Sequence, residues 1–328
     1  MPDVKQTRVA HQWAHGRPLI ACRFDPSGRF AFATSEDGAI VRFSMADGAK
    51  TAFQTRASWP FALACSLKGD VIVSGGGDGQ LVWWQTEGDG TAPLRTVDAH
   101  QGWIRSLAVS PDGTLLLSGG NDHRVKLWNL AEGTLVREFS GAESQIHSVV
   151  FHPNGQFVLG GELKGPVRQW EISTGQLVRT FDASKLYSYN AGQGVDFGGV
   201  RALAISADGQ QLACGGLFNA SNPLGAVHDP LILRIEWDSQ KVLQEHVAAD
   251  LKGVIWRCQF LADGTIVGCS GGSSGGFLSF WGAGEAKELH RFALPNIVRD
   301  LDLHSDGERI LTAHHDGHVR VSQMAAAA

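Results

Sequence analysis

Cysteine, tyrosine and methionine are scarce in this chain of 328 residues, which has 5, 2 and 3 of them. The cysteines, Cys22, Cys65, Cys214, Cys258 and Cys269, are odd in number and lack any Cys-x-x-Cys spacing, so no disulfide framework is indicated. They fall where strands with small apolar residues are expected, and read as reduced core thiols. No run approaches the ~18 apolar residues of a membrane-spanning helix, and the opening MPDVKQTRVAHQ has no apolar stretch behind a basic start. A soluble, cytoplasmic protein without membrane contact is expected. A basic tract is missing as well. Lys and Arg number 28 against 33 Asp and Glu, with the signs interspersed, which leaves no electrostatic footprint for a nucleic-acid backbone. Also absent are His-Glu-x-x-His, a phosphate-binding loop and any Cys-His pairing.

What is present is glycine, 41 residues of it, and a rhythm. A short turn of the Ser-Pro-Asp-Gly type recurs seven times, ending at Gly28, Gly69, Gly113, Gly155, Gly209, Gly264 and Gly307, each behind an apolar run. Successive intervals are 41, 44, 42, 54, 55 and 43 residues. A unit of ~40 residues is the period of a propeller blade. One blade cannot bury both faces of its small sheet, whereas seven stacked in a ring share a core and hide their edges. The expected fold is therefore all-β, a single seven-bladed propeller over residues 1–324, with 325–328 as a disordered or cloning-derived tail. The last unit has strands at 298–303, 309–312 and 319–321 and then stops. The segment Lys5 to His11 is expected to supply its missing fourth strand and close the ring.

The third unit, DAHQGWIRSLAVSPDGTLLLSGGNDHRVKLWNL, is the most complete. It resembles the WD-repeat family, whose blades carry a Gly-His pair before the first strand, an Asp in the second hairpin turn and a Trp-Asp pair ending the third strand. The resemblance implies a structural hydrogen-bond network of His100, Ser118, Asp122 and Trp128, since a buried indole and imidazole each need a partner. Ala99 and Asn129 depart from the family pattern. Other units are more worn. Unit two keeps Ser74, Asp78 and Trp84 with Arg56 at the His position, unit four has Lys164 at the Asp position, and units six and seven keep Trp281 and Asp316 respectively. Their stability is expected to come mainly from apolar burial.

Two long intervals locate insertions. DASKLYSYNAGQGVDFGG, residues 182–199, joins units four and five, and LFNASNPLGAVHD, residues 217–229, expands the second hairpin turn of unit five. A smaller glycine-serine expansion, 270–276, sits in the same turn of unit six. In the family these connections emerge on one face, called the top. Both tyrosines, Tyr187 and Tyr189, with Phe197, lie in the first insertion, and Phe218, Asn219, Asn222 and His228 lie in the second. They read either as a binding rim or as loops that cap each other. Aligning first strands on the turn glycines puts Ile20, Phe61, Arg105, His147, Arg201, Trp256 and Arg299 in one column at the channel mouth. Three arginines and a histidine suit a carboxylate or phosphate, unless they pair internally, with Asp300 and Asp302 as adjacent candidates.

Together these features point to a non-catalytic scaffold that binds a protein or peptide on its top face, including an acidic or phosphorylated segment. Arg105, His147, Arg201, Trp256 and Arg299 form the centre, and Tyr187, Tyr189, Phe197, Phe218 and His228 the rim. The propeller is expected as a monomer within a complex, with no cofactor, no metal and no catalytic residue. The His314, His315, His318 and Asp316 cluster coincides with a hairpin turn and so reads as structural rather than metal-binding. The alternative is a propeller enzyme of hydrolase or lactonase type, with a metal or histidine base at the channel mouth.

Overall fold

The computed structural model describes residues 2–54, 58–222, 227–248 and 250–324. Arg56 and the tail 325–328 lie outside the described residues, as does the side chain of Asn222. The chain forms seven four-stranded antiparallel sheets in a ring, with one extra two-stranded hairpin. Each sheet is a blade. We label its strands a to d from the channel outward. In blade three they are Ile104–Val109, Leu115–Gly120, Val125–Asn129 and Leu135–Phe139. The a strand of every blade contacts the a strands of both neighbours, which encircles a central channel. The only helical pieces among the described residues are two 3-10 turns of three residues, so no helix is long and apolar enough to cross a membrane.

Alternation along the strands builds the fold. In the a and b strands of blade three, Ile104, Leu107, Leu116 and Leu117 are buried, and they pack against Trp83 of blade two or Phe151 of blade four. The turn between a and b closes at Gly113 with φ +74°, a left-handed conformation that glycine adopts at no steric cost. The paired glycines ending strand b answer a different demand. A Cβ at Gly119 would lie 2.5 Å from Ile146 Cγ2 of the next blade, so only glycine allows adjacent blades to close together. All five cysteines are free thiols and four are buried, with burial raising the pKa of each.

The ring closes with strand Arg8–Ala14, which pairs antiparallel with His318–Gln323 as the outer strand of blade seven. This lies three residues beyond the expected Lys5–His11, because Val4–Gln6 forms a 3-10 turn capped by the Asp3 carboxylate, which accepts from Lys5 N at 2.9 Å. Blade three contains a continuous polar chain. Trp128 Nε1 donates to Ser118 Oγ at 2.9 Å, His100 Nε2 sits 2.7 Å from the same oxygen, and His100 Nδ1 lies 2.9 Å from Asp122 Oδ1.

Two worn blades replace that chain with other polar contacts. In blade four the fully buried Glu162 accepts from the backbone of Glu143 and Ser144 and pairs with Arg168. In blade seven the buried His314 enters from strand b, bridging Thr312 Oγ1 at 2.8 Å and Asn296 O at 3.1 Å. In blades two and six, by contrast, the indole nitrogens of Trp84 and Trp281 are buried with no hydrogen-bond partner among the described residues.

Candidate functional site

Ile20, Phe61, Arg105, His147, Arg201, Trp256 and Arg299 all line one cavity of about 140 Å³ at the mouth of the channel. A recurring backbone irregularity puts them there. In six blades the pairing of strands a and b slips at the column residue, as between Ile104 and Ser106 around Arg105 and between Ile146 and Ser148 around His147. A β-bulge of this kind leaves one residue unpaired and re-aims its side chain. Blade five reaches the same end differently, because Arg201 immediately precedes strand Ala202–Ile205 and its N–H still donates to Gly215 O at 2.9 Å.

The three arginines are not equivalent. Arg299 pairs with Glu36 of blade one at 2.6 Å, and not with Asp300 or Asp302 as the adjacent sequence suggested. Those two carboxylates serve the junction of blades seven and one. Asp300 pairs with Arg23 at 2.7 Å and accepts from Cys22 N, and Asp302 accepts from Phe24 N at 2.8 Å, with burial raising its pKa. Arg105 donates through Nε to Asn121 Oδ1 at 2.9 Å and lies 4.4 Å from the Trp103 ring centroid. Arg201 faces Trp256 at 5.8 Å, and its buried Nε has no hydrogen-bond partner among the described residues. Burial, with repulsion from Arg105 added, brings the Arg201 pKa down to about 10. Burial and the same two arginines hold His147 well below the usual imidazole range, so at neutral pH it is uncharged. Its Nδ1 is likewise buried without a hydrogen-bond partner among the described residues.

The first insertion forms its own hairpin, and the described part of the second extends blade five. After the turn Ser184–Leu186, strands Tyr187–Asn190 and Val195–Gly198 form a separate hairpin. The second insertion continues strands Gln211–Asn222 and Val227–Glu236 of blade five, and the glycine-serine segment of blade six continues pairing as far as Gly272 and Gly275. The two insertions meet at their bases. Leu186 is fully buried in the same cluster that Phe218 packs against, and Lys185 Nζ lies 5.6 Å from the Phe218 ring centroid. Tyr187 donates its hydroxyl to Asp196, Phe197 is half-buried, and Tyr189 is exposed. His228 is buried, its neighbour Asp229 pairs with Lys252, and the His228 pKa is lowered mainly by burial. The predicted rim is thus divided: Tyr189 faces solvent, whereas Phe218 and His228 are largely enclosed.

Sequence reasoning missed Trp59, Trp103 and Glu36. The two tryptophans stand two positions before the column residue in adjacent blades, a signal visible once the column is drawn. Deeper in the channel Arg23 and Arg257 add cationic groups, and Arg257 lies 3.9 Å from Asp300. No group of three or more His, Cys, Asp or Glu among the described residues is arranged to hold a metal ion. The family profile described as WD domain, G-beta repeat, matches residues 91–129, 133–165 and 287–321. Each match begins near the outer strand of one blade and runs into the next. A search of curated proteins finds no match to the chain.

Proposed function

Because this chain is a WD-repeat propeller, a class that typically scaffolds other proteins, we propose that it binds a protein or peptide partner at the channel mouth of its top face through an acidic or phosphorylated group. The observation that carries this reading is the state of Arg105 and Arg201. Two guanidinium groups share a small cavity, the Nε of one is buried, and neither has a carboxylate partner among the described residues. A buried cation without a counter-charge destabilises the fold that holds it. An incoming carboxylate or phosphate supplies that charge and accepts the unused donors in planar, bidentate geometry. Neutral His147 adds a further polar contact. Arg299, neutralised by Glu36, is peripheral to this seat, and Tyr189 with the outer part of the rim is free to add contacts.

Capture from native lysate with the wild type and an Arg105→Ala/Arg201→Ala variant tests this reading. A partner retained by the wild type and lost by the folded variant supports it. A partner retained equally by both overturns the assigned site, and no partner with either removes the scaffold reading.

A further inference from the structure

Beside the arginine seat the top face exposes an aromatic surface. Trp59 and Trp103 are 50% and 41% accessible, whereas the tryptophans of the blade cores, such as Trp84 and Trp170, are almost completely buried. Phe61 stands between them. Its ring stacks on Trp103 with centroids 4.8 Å apart and planes 25° from parallel, and it meets Trp59 edge-on at 6.2 Å. Phe61 and Arg105 both line the channel cavity, so this shelf and the anion seat are one continuous surface.

Its chemistry limits what can lie on it. Tryptophan at the centre of an interface contributes much of the binding energy, because a large rigid ring is desolvated at little entropic cost. The rings do not await a cation, since the Arg105 guanidinium already lies 4.4 Å from the Trp103 centroid and 5.7 Å from that of Phe61. A Lys or Arg of a partner would meet Arg105 and Arg201. Position joins the two halves: Phe61 lines the cavity beside Arg105 and stacks on Trp103, so an apolar residue next to the bound anion has the shelf within reach.

We infer that the partner segment is bipartite: an apolar side chain, proline, leucine or aromatic, seated on Trp59, Phe61 and Trp103, lies within about two residues of the acidic group held by Arg105 and Arg201. This rests on the proposed function and specifies its ligand. Selection from a randomised octapeptide library displayed on phage tests it, using the wild type, Trp59→Ala/Trp103→Ala, Trp59→Ser alone and Arg201→Met, each checked for folding by circular dichroism. The wild type is expected to enrich peptides with an apolar residue beside an acidic one. The tryptophan variants should lose the apolar preference, keep the acidic one, and bind the selected peptide at least about tenfold more weakly. Trp59→Ser keeps the test valid if the double variant unfolds, because Trp59 is half exposed and touches Phe61 only at its edge. Acidic peptides without an apolar preference, or an unchanged motif in the tryptophan variants, overturn the inference while leaving the proposed function standing. Absence of acidic enrichment in the wild type, or its persistence in Arg201→Met, overturns both.

Discussion

Replacing Trp128 and Trp84 separately by phenylalanine isolates the value of the polar chain in blade three. Both indoles are buried at equivalent positions on strand c, with 3% and 1% of their surface accessible, so lost apolar contact and residual cavity volume are common to the pair. The difference is polar. Trp128 Nε1 donates to Ser118 Oγ at 2.9 Å, and that hydroxyl also lies 2.7 Å from His100 Nε2, whereas Trp84 Nε1 has no partner among the described residues. Trp128→Phe therefore takes a donor from a buried network and leaves Ser118 short of a bond, which costs about 1–3 kcal/mol. Trp84→Phe removes a buried donor with no partner among the described residues, so its polar contribution is expected to be neutral or favourable. Urea unfolding followed by circular dichroism should show Trp128→Phe less stable than Trp84→Phe by about 1–3 kcal/mol at similar slope. Equal losses, or a larger loss for Trp84→Phe, would refute the reasoning. Trp128→Ala, which also opens a large cavity, should cost about 3–5 kcal/mol.

Removal of residues 1–15 takes away strand Arg8–Ala14 and bares the edge of His318–Gln323; size-exclusion chromatography should then show association or loss of the folded species, and an unchanged monomer would contradict the closure. On the rim, Tyr189→Ala should change stability by less than about 0.5 kcal/mol. Phe218→Ala, which strips a ring from the cluster around Leu186 and Leu231, should cost more than the tyrosine change in the same urea assay; equal costs would show that the insertions do not brace each other. His246 and His314, both fully buried, have pKa values lowered to about 4, chiefly by burial. Their folded values lie below the unfolded value of ~6.5, so between pH 6.5 and 4 the unfolded chain binds more protons and stability falls as pH falls through that window. His246→Phe should flatten this decline when urea midpoints are compared at successive pH values, and an unchanged slope would remove His246 from the account.

The sequence carries the ring because ring-making is local and repeated. Seven turn glycines, the apolar runs before them and the polar residues of blade three each act within one unit, so blade count, strand order and the channel column are legible without coordinates. What escaped depends on contacts between units. Glu36 neutralises Arg299 from 263 residues away, and the neighbouring Asp300 and Asp302 are already engaged by blade one. The substitute polar chains of blades four and seven use Glu162 and His314 at the end of strand b, where blade three has Gly120, so a search by aligned residue type passes over them. The insertions looked like loops because they lengthen a blade junction and a hairpin turn, yet backbone pairing runs along described residues of both longer ones. The aromatic shelf depends on Phe61 and Trp103 stacking across two blades, a relation that neither unit encodes alone.

The central claim is that Arg105 and Arg201 form an anion seat left unsatisfied by the fold. Arginine side-chain Nε–Hε NMR resonances, assigned by single substitution, report it directly during titration with a phosphoserine peptide carrying a flanking leucine. The account predicts saturable shifts of Arg105 and Arg201, little change at Arg299 where Glu36 holds the guanidinium, and loss of the Arg105 response in Arg201→Met. Shifts confined to other arginines, or none at saturating peptide, would contradict it.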